Sequence, residues 1–410
     1  MHYVIIGNGI AGINAAEAIR ALDPDGRITL IGDESFPPYS RPMISNVLEG
    51  SQPHERLPIR GTAIYSELKI TPVLGQRVVR LDVDGNWVEL IDGVRVAFDR
   101  LLIASGADPR PINADGLDLA NIFFMRTQAH VKSQLEALPG AHRALVLGGG
   151  LVGFKAAYGL LRRGLSVTML ISSDYPLSLQ VDETAGHLIL NRLLDHGLDV
   201  RVGTSVSAFE GTGRVQAALT DDGQRLACDL VVIGKGVRPA QSFVPRDRIE
   251  TDMGILVDDH LQTSVDTIYA AGDVAESIDI ARGCRWVNAI WPEAAAQGRI
   301  AGFNMAGRAV AYPGSLSRNV MRIYDLDVMT LGYANPPADA PLRILRSGGV
   351  GKGFYRSLVF RGNLLVGAIL INHIEQGGVL RALIENGVPL DIDPAALMAS
   401  DFNFAKLLAA

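Results

Sequence analysis

Tyr3-Val4-Ile5-Ile6-Gly7-Asn8-Gly9-Ile10-Ala11-Gly12 opens the chain, and Ala144-Leu145-Val146-Leu147-Gly148-Gly149-Gly150-Leu151-Val152-Gly153 repeats it. In each copy an apolar run reads as a buried strand and the glycine cluster as a turn. A helical stretch follows, over 13–22 and 154–163, and then a second apolar strand, over 27–31 and 166–171. This is β-turn-α-β written twice. A lone G-x-G-x-x-G is weak, because glycine turns are common; the strand before it and the helix after it supply the required context. The first glycine makes the tight turn, the second lets backbone approach a pyrophosphate, and the third lets helix and strand pack closely. The diphosphate then sits at the helix N-terminus, where free N–H groups favour an anion.

Outward from the two copies, three further strands end in small residues. They are the stretches 98–107, with Ala104-Ser105-Gly106; 228–239, with Gly234-Lys235-Gly236; and 267–274, with Gly272-Asp273. Small residues there leave room for a ligand outside the carboxyl edge of a parallel sheet. The fold class expected is α/β, with two Rossmann-like dinucleotide-binding domains and a smaller C-terminal α+β domain.

Composition narrows the function. The chain has 410 residues, which predicts two to three domains. Its 38 Lys and Arg against 44 Asp and Glu leave a net charge of −6, which argues against a nucleic-acid binder. No stretch is long and apolar enough for a membrane span, and the start enters a strand directly, so a cytoplasmic location is expected. The two cysteines, Cys228 and Cys284, form no CxxC, and His187, His196, His260 and His373 have no metal-ligand spacing, so no metal is assigned. Both cysteines read as packing residues. Asp182-Glu183 reads as N-terminal charge on a helix.

Two dinucleotide cradles in one chain imply a flavoprotein that passes hydride between FAD and a nicotinamide nucleotide. Across nearly its whole length the chain resembles the two-dinucleotide-binding-domain flavoproteins of the pyridine nucleotide-disulphide oxidoreductase superfamily. Pro38-Tyr39-Ser40-Arg41-Pro42-Met43-Ile44-Ser45 is similar to the Y-x-R-P-x-L-S loop of rubredoxin reductases, oxygenase ferredoxin reductases and apoptosis-inducing factor. Trp291-Pro292-Glu293-Ala294-Ala295-Ala296-Gln297-Gly298 and Asn304-Met305-Ala306-Gly307 resemble the flavin domains of nitrite reductases and NADH oxidase-like subunits, including the flavin subunit of phenylglyoxylate dehydrogenase.

The resemblance implies a set of contacts. Gly7, Gly9, Ile10, Ala11 and Gly12 cradle the FAD pyrophosphate. Asp33 or Glu34 reaches the adenosine ribose, Gly32 standing where many relatives place the acid. Arg41 and Pro42 lie along the diphosphate, and Val78 meets adenine through its backbone. Ala104, Ser105 and Gly106 line the cleft, and Gly272 and Asp273 hold the ribityl chain. Trp291 begins a helix aimed at the flavin pyrimidine, where its dipole favours negative charge. Gly148, Gly150, Leu151, Val152, Gly153 and Gly236 form the nicotinamide-nucleotide cradle. Relatives carry Glu two residues after the last glycine of that cradle; Lys155 stands there instead, with Asn46 where some relatives have Lys, and Lys155 is assigned a flavin-side catalytic role. Ile171 replaces the ribose-binding acid at the strand end. Asp174 is the substitute, which leans the reading toward NADH over NADPH.

The domains implied are an FAD domain over 1–110 and 250–315, a nicotinamide domain over 111–249, and a C-terminal domain over 316–410. Disulphide reductases of the superfamily carry a CxxxxC pair where this chain has Arg41 to Asn46, so electrons are expected to leave the flavin edge directly. The function expected is an FAD-dependent NAD(P)H oxidoreductase serving a separate redox protein or partner subunit: rubredoxin- or ferredoxin-like, nitrite reductase-like, or a 2-oxoacid dehydrogenase complex. The alternatives are a slowly turning-over redox sensor and an NADH oxidase using a small oxidant. A homo- or hetero-oligomer is compatible with either. The linker motif of flavin monooxygenases is not matched.

Overall fold

Val4, Ile5, Leu30, Leu101 and Leu102 are fully buried because the strands that carry them lie inside a parallel sheet. With neighbours on both faces, such strands read as unbroken apolar runs. The computed structural model describes residues 1–393, 396–399 and 402–408. It divides into two compact units: Met1–Pro42, His54–Asp108 and Val237–Leu316, and Met43–Pro53, Pro109–Gly236 and Ser317–Ala410.

The first unit centres on a five-stranded parallel sheet in the order Ile268–Ala270, Arg100–Ile103, His2–Ile6, Arg27–Gly32, Ile70–Leu74. The helix Ile10–Leu22 follows the first glycine turn and packs on the helix Trp291–Met305. Small residues set that packing. A Cβ on Gly298 or Gly302 would collide with the Ala11 and Ala15 carbonyls respectively, so the two backbones approach as only glycine permits. An antiparallel ribbon of Val78–Asp82, Trp87–Leu90 and Arg95–Ala97 is inserted before the strand Arg100–Ile103.

The second unit repeats this plan. Its parallel sheet runs Asp199–Val202, Ser166–Ile171, Arg143–Leu147, Leu230–Ile233, Ile122–Phe124. Its inserted ribbon is Val206–Thr212, Arg214–Thr220 and Arg225–Ala227. The same unit holds a five-stranded antiparallel sheet in the order Arg318–Ile323, Leu326–Gly332, Leu364–Ile371, Tyr355–Arg361, Arg343–Gly348, backed by the helix Gly377–Glu385. Asp182 ties that sheet to the nucleotide fold. It caps the helix Glu183–Asp195 through the Ala185 N–H at 3.1 Å, and accepts from Arg346 Nε at 3.0 Å and from the buried Tyr355 hydroxyl.

Two expectations need correction. The helices begin at Ile10 and Leu151, not three residues later, because Gly9 and Gly150 are themselves the N-cap residues and Gly12 and Gly153 lie inside the first turn. Cys284 is exposed on the short strand Cys284–Trp286 and packs against no core, whereas Cys228 is buried. Burial pushes the Cys228 thiol up to about 12, which leaves it inert as a thiolate. No helix among the described residues is long and apolar enough to cross a membrane.

Candidate nucleotide-binding sites

Each glycine turn is fixed by the same contacts. Gly7 N–H donates to Ile31 O at 2.7 Å and Gly148 N–H to Leu170 O at 2.8 Å. Both residues have positive φ, +121° and +112°. A Cβ on Gly7 would collide with the Ala104 carbonyl, and one on Gly148 with that of Gly234. A Cβ on Gly12 would strike the Gly7 carbonyl, and one on Gly153 the Gly148 carbonyl. Gly9 and Gly150 differ: nothing lies within 4 Å of a Cβ built on either, and their φ values of −91° and −83° suit any residue. The first and third glycines therefore serve the fold. The middle ones face open space at a helix N-terminus, where a phosphate has room to approach.

In the first unit the glycine turn borders a cleft at the carboxyl ends of the sheet strands, where Ile6 and Ile31 meet Gly7. Gly7, Asp33, Val78 and Ser105, all named from sequence, line it together. The cleft also gathers Gln76, Arg77, Asp108, Ala240 and Phe243, which sequence reasoning missed. Gln76 and Arg77 directly precede Val78, so their signal was adjacency. Ala240 and Phe243 arrive from the far side of the inserted unit and had no local signal. Gln76 Oε1 is buried with no hydrogen-bond partner, an acceptor awaiting a donor inside the cleft. Ser105 Oγ donates to Ala240 O at 2.7 Å, and Arg77 pairs with Asp108 at 3.0 Å.

The two candidate acids separate. Asp33 lines the cleft, whereas Glu34 accepts from Arg41 at 2.8 Å and from the Tyr39 hydroxyl at 2.9 Å. Gly9, Ile10, Ala11, Gly12, Arg41, Pro42, Ala104, Gly106, Gly272, Asp273 and Trp291 are not part of the cleft lining. Gly272, at φ +81°, donates its N–H to Gln297 Oε1 at 2.8 Å, and Gln297 Nε2 contacts the Ser277 and Tyr312 hydroxyls. Trp291 does begin a helix, Trp291–Met305, whose first turn holds buried Glu293 against the Tyr312 hydroxyl. An open middle glycine, a helix N-terminus, an acid and an orphaned acceptor together fit an adenine dinucleotide.

In the second unit Lys155 is the fifth residue of the helix Leu151–Arg162, just past its first turn. Its side chain is open to solvent, yet the protein around it lowers its pKa by desolvation. Asn46 lies on the helix Ile44–Glu49, which packs on the same helix as Lys155: Arg163 donates to Leu48 O at 2.6 Å and Val47 O at 2.9 Å. Ile171 is fully buried and packs over Gly149, while Asp174 is exposed.

Residues 1–298 match the family described as pyridine nucleotide-disulphide oxidoreductase. The epsilon subunit of NADH-dependent phenylglyoxylate dehydrogenase from Aromatoleum evansii is 29% identical over 384 residues, 93% of this chain and 91% of that one. The ferredoxin reductase component of a chlorobenzene dioxygenase from Cupriavidus sp. (strain PS12) is 36% identical over 276 residues, 67% of each chain. Nitrite reductase [NAD(P)H] from Bacillus subtilis (strain 168) is 29% identical over 93% of this chain, which spans only 47% of that protein. Among solved structures, a covalent complex of putidaredoxin reductase with putidaredoxin superposes with a TM-score of 0.90 at 25% identity, covering 100% of this chain and 98% of that one.

Proposed function

This chain belongs to the pyridine nucleotide-disulphide oxidoreductase family, and from that premise we propose that it is an FAD-dependent NAD(P)H oxidoreductase that hands electrons to a separate redox protein or partner subunit. The observation that carries the reading is the duplicated glycine cradle with its two open middle positions, Gly9 and Gly150. The first unit takes FAD: Gly7 to Gly12 receive the pyrophosphate, Asp33 the adenosine ribose, and Gln76 and Val78 the adenine end. The second takes the nicotinamide nucleotide on Gly148 to Gly153. When bound, the flavin supplies the exchange between two-electron and one-electron transfer. The protein's part is position and field. The helix Ile10–Leu22 presents its N-terminus to the phosphates, and Gln297 holds the Gly272-Asp273 turn through the Gly272 N–H.

Names of relatives support a protein acceptor. Ferredoxin reductase components and the putidaredoxin complex point to a small iron–sulfur protein, while the epsilon subunit of phenylglyoxylate dehydrogenase points to a partner subunit. A small iron–sulfur protein is the partner proposed here. Lys155 remains in the reading, on the resemblance, as a cation that favours negative charge on the flavin ring. The domain boundaries at about 110, 249 and 315 belong to the same proposal. The test is the purified protein with FAD. It is expected to show the visible flavin band and to reduce ferricyanide rapidly with NADH or NADPH. A colourless protein that FAD does not restore overturns the reading. Flavin binding with only slow turnover favours a redox sensor instead.

A further inference from the structure

The two cradles can be aligned residue by residue through their hydrogen bonds. Ala104 N–H donates to Ile6 O and Gly234 N–H to Leu147 O, both at 2.7 Å. Gln76 N–H donates to Gly32 O at 3.0 Å and Thr204 N–H to Ile171 O at 3.1 Å. Ser105 in the first unit therefore corresponds to Lys235 in the second, and Arg77 to Ser205. The adenosine end of the first cleft has Asp33 at its second strand. The equivalent end of the second has the buried apolar Ile171, then Ser172 and Ser173, and receives a lysine from across the sheet: Lys235 Nζ donates to Ser205 Oγ at 2.6 Å. Thr204 on Ile171 and Gly203 N–H on Ser173 O at 3.2 Å pin the Ser205 segment to the end of the strand Ser166–Ile171.

We propose that Lys235 selects a 2′-phosphorylated dinucleotide, NADPH, at the second cradle, with the hydroxyls of Ser172 and Ser205 as supporting donors. This rests on the reading of that cradle as the nicotinamide site, and it reverses the lean toward NADH. An acid at the end of the second strand bonds the ribose 2′-hydroxyl of NAD and repels a phosphate there; a cation does the opposite. No acid occupies that position here, and Asp174 beyond it is exposed. The acid whose charge acts on Lys235 is Asp221, which is exposed and accepts from Ser205 N–H at 3.1 Å. Half-burial lowers the pKa of the Lys235 ammonium, and a phosphate brought beside it would restore the charged form.

The experiment is calorimetric binding of NADP⁺ and of NAD⁺ to the FAD-loaded protein, its Lys235→Met variant and its Lys235→Arg variant. Flavin content and melting temperature check the fold of each. The native protein is expected to bind NADP⁺ about ten-fold more tightly than NAD⁺, the Met variant to lose that margin while keeping its NAD⁺ affinity, and the Arg variant to retain it. Raised salt should weaken NADP⁺ more than NAD⁺ in the native protein and not in Lys235→Met. Equal native affinities, or a Met variant that weakens both nucleotides alike, would overturn the role of Lys235 and leave the nicotinamide site standing. If neither nucleotide binds, the nicotinamide reading falls with it.

Discussion

The two glycine turns share their stereochemistry and differ at their mouths. In both, the first and third glycines are wedged against carbonyl oxygens and the middle one faces open space. Both sheets are also closed in the same way at the opposite end. The Asp99 carboxylate accepts from His2 N–H at 2.6 Å, and that of Asp229 from Arg143 N–H at 2.9 Å. What differs is a handful of strand-end side chains: Asp33 against Ile171-Ser172, Arg77 against Ser205, Ser105 against Lys235, Asn14 against Lys155. The lesson is a division of labour. The glycines specify a dinucleotide fold, and on the proposed assignment the residues at the strand ends select which dinucleotide.

The strongest way to break this comparison is to give the wedged glycines a side chain. Gly12→Ala and Gly153→Ala push a methyl into a backbone carbonyl that cannot yield. Each should cost at least about 3 kcal/mol, by overpacking a site with no give. Chemical denaturation should find each unit weakened by its own variant. Gly9→Ala and Gly150→Ala should leave stability within about 1 kcal/mol while weakening nucleotide binding, because the space they fill is the ligand's. Equal destabilisation at middle and third glycines would end the distinction.

Next in size is Asp182, which has no counterpart in the first unit. Its carboxylate joins a helix cap, Arg346 and Tyr355. Asp182→Ala should cost about 2–3 kcal/mol, since it removes a helix cap and takes the acceptor from a buried hydroxyl, while Arg346 is exposed and returns to water. Burial and the Asp182 contact push the Tyr355 hydroxyl well above its usual range. A group raised on folding contributes stability that is complete below its unfolded pKa and is lost as pH climbs toward the folded one. Tyr355→Phe should therefore flatten the alkaline limb of the stability curve above about pH 10. An unchanged limb would remove Tyr355 from the account.

A smaller effect belongs to Asp229. The Arg143 side chain and the His142 and Arg143 N–H groups hold its carboxyl at about 2. A carboxyl lowered on folding gives stability that is full above its unfolded pKa of about 4 and fades as pH falls toward 2. The pair is largely solvated, so Asp229→Asn should cost no more than about 1 kcal/mol at neutral pH. It should also reduce the acid sensitivity of the protein between pH 4 and 2. Equal acid midpoints in native and variant protein would contradict this.

The smallest predicted effect sharpens the contrast of Asn14 with Lys155. Lys155→Glu should lower the flavin midpoint potential by some tens of millivolts with FAD still bound, and Lys155→Met should fall between. Three identical titrations would make Lys155 a surface lysine.

Much of this was legible in the sequence because it is local. Strand, turn and helix lie within about twenty residues of each copy, and glycine spacing reports on backbone directly. The helix starts were misread because glycine is unfavourable inside a helix, so Gly12 and Gly153 looked like turn residues; the tight packing that requires them there is tertiary. The cleft's outer wall, Ala240 and Phe243, comes from chain beyond the inserted unit, and nothing local announced it. Lys235 was visible but read as part of a small-residue turn. Only the bond to Ser205 reveals where its side chain goes.

The measurement that bears most directly on two cradles with two ligands is anaerobic mixing of flavin-loaded protein with NAD(P)H, for the native chain and for Gly9→Asp and Gly150→Asp. Both middle glycines have ordinary φ and open space, so an aspartate folds there and repels only a phosphate. The account predicts that the native flavin band bleaches on mixing, that Gly9→Asp purifies without flavin, and that Gly150→Asp keeps its flavin but no longer bleaches. Loss of flavin from Gly150→Asp, or bleaching that survives in it unchanged, would contradict the assignment of the two cradles.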